Sequence, residues 1–485
     1  MKKIIIKCFK TLKNYYFYDR YTNSVVKVSP EEYEVLVRIE KEGCLSEGET
    51  CINKFLELGF LHESIVSEIK HPATDDLEYY SKNKVQQLIL QVTQQCNLRC
   101  SYCTYSGNYY NRGHSDKKMT FDVAKKVIDF YFDHSSEKDS ITIAFYGGEP
   151  LLEFPLIKKC VEYSEAKTKD KEIYFYITTN GTLLTEQIIS YLCEHNFNIT
   201  ISLDGDKEEH NKNRRFLEGT GSFDLIMNNL QKIKDYDEIF FNKVRYNAVV
   251  SPKSDWNKVF KFFSESSLID PHNVKLNPVA DDCLVNKSLI EADENFWIPY
   301  RYEYMKLLLY MIGELKFNDI HPSFEKSMFE IKRLYKMLQQ HNCEQPKMHH
   351  SGPCLPGIQR LFVDTVGRFY PCERVSENIP DMNIGSVEKG YNYEKMRVLL
   401  NIGELTQENC LNCWNLRHCK ICAGQIEPID NKLTCQNKLL ICPKSENEVL
   451  GRIKDLCVLY ENGYSILEEG EYEEEKKNIF IPAES

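Results

Sequence analysis

The sequence predicts an α/β protein: a partial (β/α)6 barrel, with an N-terminal winged-helix-like module before it and a C-terminal cysteine-rich domain after it. Three observations predict this. Strand and helix patterns alternate six times between Val85 and Pro278, the first 70 residues hold a separate strand-and-helix pattern, and the 19 cysteines are unevenly placed. Three of them lie between 96 and 103, and nine lie between 343 and 442.

The chain has 485 residues, with 61 Lys+Arg against 72 Asp+Glu and a formal net charge of -11. That balance argues against a broad nucleic-acid surface. Apolar residues at 42% and charged residues at 27% are the proportions of a folded chain. No apolar run reaches the ~18 residues of a membrane span. The opening Met1-Lys-Lys-Ile-Ile-Ile-Lys is too short in its apolar part for a secretory signal, which needs ~7–15 residues. The expectation is a cytoplasmic protein with no membrane partner. In a reducing compartment, an odd number of clustered cysteines points to metal or redox chemistry rather than to disulfides.

The elements follow in order. Residues 1–70 offer strands at 4–9, 15–19 and 25–28, with a turn at Thr22-Asn23. Ser29-Pro30-Glu31-Glu32 then reads as a helix start: an N-cap hydroxyl, Pro at the first helical position and acids in the first turn. A second helix is expected from 47 to 58, carrying Glu47, Glu49 and Glu57 against Lys54, a charge pattern unsuited to DNA. Residues 71–84 read as a polar linker. Barrel strands are expected at 87–92, 141–145, 173–178, 199–203, 243–249 and 274–276, with helices near 120–134, 155–168, 185–195, 222–235 and 255–265. Repeated strand–helix units make a parallel sheet, and its functional loops gather at the carboxyl edge of the strands. The barrel domain is placed at 85–285 and a helical bridge at 286–342. The cysteine-rich domain follows at 343–445, then a C-terminal helix and acidic tail at 446–485.

Cys96, Cys100 and Cys103 are spaced C-x3-C-x2-C directly after the first barrel strand. Three thiolates on one loop can hold a cluster and leave one position free of protein donors, whereas closed clusters and structural zinc take four. A zinc knuckle short of one ligand is the alternative. Gly147-Gly148-Glu149 ends the second strand, where glycines let backbone approach a ligand. Asn180 ends the third strand, and Ser202 ends the fourth, twelve residues before Arg214. A hydroxyl and a guanidinium suit a carboxylate, although Arg215 competes for that role.

This three-cysteine loop, with the aromatic Tyr102 before its last cysteine, resembles the radical S-adenosylmethionine (SAM) enzymes. The resemblance implies a [4Fe-4S] cluster on Cys96, Cys100 and Cys103 whose open iron binds SAM. The reduced cluster then splits SAM to a 5′-deoxyadenosyl radical that abstracts hydrogen. It also implies that Gly147, Gly148 and Glu149 hold the cofactor's amino group, with Asn180 as a further cofactor-binding position. Ser202 and Arg214 would hold its carboxylate, and Tyr102 and Leu276 would lie at the adenine. The protein's share is positioning and exclusion of side reactions.

The second cysteine region reads Cys354-x12-Gly367-x4-Cys372, then Cys410-x2-Cys413-x5-Cys419-x2-Cys422, then Cys435 and Cys442. It resembles the SPASM-type auxiliary-cluster domain, departing from the usual pattern by x2 rather than x3 before Cys422. The resemblance implies two auxiliary [4Fe-4S] clusters. One would lie on Cys354, Cys372 and Cys422, with Cys343 as a fourth donor. The other would lie on Cys410, Cys413, Cys419 and Cys435, with Cys442 as substitute. A pair of zinc sites is the alternative, because four-cysteine spacing does not separate zinc from iron.

Auxiliary-cluster enzymes of this family commonly act on peptides, and two branches compete. One oxidises Cys or Ser in sulfatases to formylglycine and carries Asp after the cysteine matched here by Cys372. This chain has Glu373, a carboxylate able to take a proton. Its longer arm moves the oxygens by about a bond length, where errors of ~1 Å matter. The other branch, of the sactipeptide and ranthipeptide type, matures ribosomally made peptides, often by a Cys thioether. Those enzymes commonly hold the precursor's leader with an N-terminal winged helix, here residues 1–70, by strand addition. Peptide maturation is the leading expectation and sulfatase maturation the alternative. A non-catalytic iron–sulfur or zinc redox sensor is the reading from another class. A ferredoxin or flavodoxin would supply the electrons.

Overall fold

The computed structural model describes residues 3–45, 50–110, 112–168, 171–339 and 342–464. The expected start of the second helix at 47–49 and the acidic tail lie outside the described residues.

Strands β1 (Ile6–Lys10), β2 (Tyr15–Asp19) and β3 (Ser24–Val28) form an antiparallel sheet in that order. Because side chains alternate across a strand, the sheet has two apolar faces. Phe17, Val26 and Val28 pack with Leu36, Ile39 and Phe55 in a core of their own. Phe9, Tyr16, Tyr18 and Val25 belong to the main core. The helix Pro30–Glu42 begins where Ser29 and Glu32 cap each other reciprocally and ends at Gly43, whose φ of 74° suits glycine. The second helix is short: a 3-10 turn Thr50–Ile52 leads into Asn53–Glu57.

After β4 (Glu68–Ile69) come β5 (Leu88–Thr93), β6 (Ser140–Gly147), β7 (Glu172–Thr179), β8 (Asn198–Ser202), β9 (Arg245–Val250) and β10 (Val274–Pro278). These last six pair in parallel in sequence order, as the alternating pattern predicts. Every residue of β5 is buried, as befits a central strand covered on both faces. Its polar members are satisfied: Gln91 Nε2 donates to Tyr105 Oη at 2.9 Å and to Glu377 Oε1 at 2.7 Å.

Four further strands extend the same sheet. After β11 (Lys347–Met348), which pairs with β4, β12 (Leu361–Val363) joins β5 in parallel. The strands β13 (Arg368–Tyr370), β14 (Gly385–Ser386) and β15 (Gly390–Tyr391) follow as antiparallel neighbours. The cysteine-rich region is thus built directly onto the first barrel strand, and β10 forms the other edge. The bridge region is helical at Ile298–Met311 and Glu325–Gln339, as expected.

The expected polar linker is a correction. Residues 71–84 contain the helix Leu77–Asn83, and its Leu77 and Ser81 are fully buried. His71 N and Thr74 Oγ1 both donate to Asn401 Oδ1, at 2.7 and 3.1 Å. The segment is held to a distant loop, a partner the local sequence does not reveal.

Candidate functional site

All the sequence-predicted barrel loops emerge at the carboxyl edge of β5 to β10. Cys96 and Cys103 pack, half-buried, around buried Leu98, Cys100, Tyr102 and Val279, together with Val249 and Phe216. The backbone N–H groups of Leu98 and Tyr105 donate to the sulfurs of Cys96 and Cys103, each at 3.4 Å. Burial pushes the Cys96 thiol up to about 11 and the Cys100 thiol up to about 12, with Arg214 pulling Cys100 back. Metal loading must therefore release protons here. The three sulfurs lie within electrostatic reach of one another. Among the described residues no three His, Cys, Asp or Glu converge on a single-ion site.

The glycine loop is pressed against this one. A Cβ on Gly148 would lie 2.0 Å from the Gln95 carbonyl oxygen, and one on Gly147 2.1 Å from that of Thr93. Backbone cannot yield as a flexible side chain does. Gly148→Ala is expected to part the two loops and weaken SAM binding at least ~10-fold, measured by isothermal titration on the anaerobically reconstituted protein.

Glu149 is fully buried and its carboxylate accepts from Thr179 Oγ1 at 2.7 Å, Asn180 N at 2.7 Å and Leu151 N at 3.1 Å. Burial pushes its pKa up to about 7 while those donors pull it down. Its side chain ties the β6 loop to the β7 loop. Asn180 Nδ2 donates to Asn97 Oδ1 at 2.8 Å and lies 3.8 Å from Cys96 Sγ. Asn180 thereby joins the β7 loop to the cysteine loop.

Ser202 ends β8, half-buried, opposite Asn247. Arg214 is the buried arginine of the pair, and Arg215 turns its guanidinium to backbone carbonyls at the surface. Arg214 Nε donates to Asp204 Oδ2 at 2.9 Å, its guanidinium lies 5.4 Å from the Tyr102 ring centre, and Tyr102 Oη donates to the same carboxylate. Its two terminal nitrogens have no hydrogen-bond partner among the described residues, leaving a fork suited to a carboxylate. Asp204 was missed as a site residue. It stands two residues after Ser202, but its bond to Arg214 depends on the fold.

Leu276 is a different case. It lies half-buried on the edge strand β10, lining a cavity with Lys275, Tyr300 and Phe324. The apolar residues from outside the cysteine loop that pack on it are instead Phe216, Val249, Val279 and Ile290.

These features decide the reading together with one comparison. Residues 90–261 match the family model described as the Radical SAM superfamily. The chain carries a radical SAM domain. It is 30% identical over 225 residues to a cysteine-type anaerobic sulfatase-maturating enzyme of Clostridium novyi, covering 42% of this chain and 58% of that one. This chain thus spans little more than half of that relative's length. It is 26% identical over 354 residues to the cysteine-type anaerobic sulfatase-maturating enzyme of Clostridium perfringens, covering 69% and 87%. With the radical SAM cyclopropyl synthase TigE of Paramaledivibacter caminithermalis it shares 22% over 431 residues, covering 83% and 84%. Among solved structures, native anSMEcpe with bound AdoMet and Cp18Cys peptide aligns with a TM-score of 0.56 at 20% identity, covering 78% of this chain and 99% of that one. At that identity the fold is what the two share.

Radical SAM proteins use a [4Fe-4S] cluster and SAM, and three thiols on one loop, Cys100 buried and the half-buried Cys96 and Cys103 each accepting from a backbone N–H, fit that cluster. The C-terminal cysteines of the radical SAM chain fall into two groups that fit auxiliary clusters. In the first, Cys372 and Cys422 each lie within electrostatic reach of Cys354. Gly367, with φ 83°, turns the chain between β12 and β13, so the glycine of the motif is a hairpin turn. Gly352 lets the chain leading to Cys354 pass against the Cys419–Cys422 loop, since a Cβ there would lie 2.0 Å from the Ile421 oxygen. Cys343 is not brought to this group: it is exposed, beside Glu344, which bonds Arg20 and Ser64 of the N-terminal region. Buried Cys283, to which the sequence assigned no role, lies within reach of Cys422. Its one signal was its place just after the last barrel strand.

Glu373 borders this first group. Its Oε1 accepts from Arg360 Nη1 at 2.5 Å, while its buried Oε2 has no partner.

In the second group, Cys410, Cys413, Cys419 and Cys442 line one cavity of about 550 Å3 with His350 and Lys438. Cys435 is exposed at the start of the helix Cys435–Leu439 and does not line it. Cys442, which lines it, opens the next helix, Cys442–Glu461. Cys442→Ala is expected to lose about four irons per chain and Cys435→Ala none, by iron assay after anaerobic reconstitution.

Proposed function

We propose that this chain is a radical SAM peptide maturase that abstracts a hydrogen from a ribosomally made precursor peptide and installs a cross-link, a Cys thioether first among the candidates. The observation that carries the reading is the meeting at one sheet edge of the three-cysteine loop, the glycine loop and the Arg214–Asp204–Tyr102 group. When bound, the reduced cluster supplies the electron that cleaves SAM to a hydrogen-abstracting radical. Cys96, Cys100 and Cys103 would hold that cluster. The terminal nitrogens of Arg214, with the Ser202 hydroxyl as a further donor, would take the cofactor's carboxylate. The Gly147-Gly148 backbone would receive its amino group, and Tyr102 with Val249 and Val279 would shield the site from water.

Two observations favour a peptide substrate. The outer edge of β3 has no strand partner among the described residues, and an unpaired strand edge can take a leader as an added strand. The relatives include sulfatase-maturating enzymes and TigE. Glu373, with one buried oxygen unpartnered, could accept a proton from the substrate. A cytoplasmic site of action, with a ferredoxin or flavodoxin as donor, belongs to the same proposal.

The sulfatase-maturase reading is kept as the second. Sequence likeness to the Clostridium enzymes favours it, and the glutamate at position 373 argues against it.

The test incubates reconstituted protein, SAM and dithionite with a Cys-containing precursor peptide and, separately, with a sulfatase-derived Cys peptide. The expected result is 5′-deoxyadenosine with loss of two hydrogens from the precursor. An aldehyde on the sulfatase peptide alone would establish the second reading. Absence of 5′-deoxyadenosine in every arm would leave the redox-sensor reading.

A further inference from the structure

Lys438 is buried, 1% exposed. Its Nζ donates to Thr406 Oγ1 at 2.6 Å and to Cys410 Sγ at 3.6 Å. A buried ammonium ordinarily takes a carboxylate, because an uncompensated charge is costly away from water. Among the described residues Lys438 pairs with none. Two carboxylates, Glu408 and Glu446, line the cavity. Glu446 accepts instead from Cys413 Sγ at 3.9 Å.

The other basic groups here do not replace it. His349 and His350 stack at 4.2 Å between ring centres. Burial first, then neighbouring positive charge, holds the His350 imidazole neutral. The positive charge of Lys438 also reaches Cys419 and Cys442. Three of the four sulfurs of this cavity thus face one ammonium whose compensating anion must be the sulfurs themselves and whatever they hold.

We propose that Lys438 is a positioning residue for the second auxiliary cluster, donating to the Cys410 thiolate and raising the cluster's reduction potential. The inference rests on the reading that Cys410, Cys413, Cys419 and Cys442 hold an iron–sulfur cluster. The step concerned is a one-electron reduction of that cluster by an external reductant, with no proton or bond transferred. The added electron increases the negative charge facing Lys438, so the ammonium stabilises the reduced form more than the oxidised one. Net charge and hydrogen bonds to the sulfurs are established levers on such potentials.

The test is an EPR-monitored redox titration of the reconstituted full chain. The parent carries Cys96→Ala, Cys100→Ala and Cys103→Ala, so that only the auxiliary clusters report. Added Lys438→Met is expected to leave the iron content at about eight per chain. It is expected to lower the reduced-to-oxidised ratio of one cluster about tenfold at fixed potential, which is ~59 mV for a one-electron couple. The other cluster should not move, and Lys438→Arg should restore the parental value. Lys438→Gln makes the same comparison if methionine is not tolerated. Full iron content with both potentials unmoved, or with both moved equally, overturns the inference. A parent holding about four irons overturns the two-cluster reading and the inference together; about eight with an unmoved variant overturns the inference alone.

Discussion

Cys100→Ala is expected to abolish SAM cleavage. Cys100 is the buried member of the three-cysteine loop, packed with Leu98, Tyr102 and Val279. With one of three thiolates gone, two remain for a cluster that already has one position without a protein donor. Partners that merely orient metal ligands cost ~10–100-fold when removed, and a ligand itself costs more. The readout is 5′-deoxyadenosine by chromatography under anaerobic reduction, which should fall more than ~100-fold. Iron should fall by about four per chain while the auxiliary-cluster signal remains. Alanine fills the space without a polar atom, so the chain is expected to keep its thermal transition. Cleavage at the wild-type rate in this variant would sink the assignment of the loop.

The second large effect is on stability. Arg20→Met is expected to destabilise the protein by ~3–5 kcal/mol, the cost of leaving one buried charge without its partner. The Arg20 and Glu344 side chains are 0% and 1% exposed, with Nε to Oε1 at 2.6 Å. Ser64 Oγ bridges them, accepting from Arg20 Nη2 at 2.5 Å and donating to Glu344 Oε2 at 2.7 Å. Arg20 Nη1 also donates to the carbonyls of Leu411 at 2.8 Å and Cys413 at 3.0 Å. One guanidinium therefore joins the N-terminal sheet to the Cys410–Cys413 loop. Urea titration followed by circular dichroism should show the loss, and iron in the second auxiliary group should fall with it. Adding Glu344→Gln to Arg20→Met should recover part of the loss, because the stranded charge is then removed. Equal midpoints for wild type and Arg20→Met would show that the pair contributes nothing.

The barrel was legible because its rule is local. The strands announce themselves by apolar residues, and several helices by a cap such as Thr120 or Thr185. A parallel order with loops at one edge then follows from chain connectivity. The three-cysteine loop was legible for a similar reason: its donors lie within eight residues of one another, and so does the strand that positions them. What was not legible involves partners far apart in sequence. The helix Leu77–Asn83 looked like linker because its polar neighbours contact Asn401, more than 300 residues away. The role of Asp204 likewise depends on Arg214 and Tyr102, which the fold brings to it.

The amino-acid order by itself determined the strand-and-helix alternation, the site of the three thiols and the presence of cysteine donors in number. Those properties depend on residue type and short spacing. Only the tertiary structure decided which donors meet: Cys442 in the cavity rather than Cys435, Cys343 exposed, and Lys438 buried against Cys410. Spacing along a chain limits how far apart two residues can be. Which of several nearby residues turns inward depends on packing between segments hundreds of residues apart in the chain.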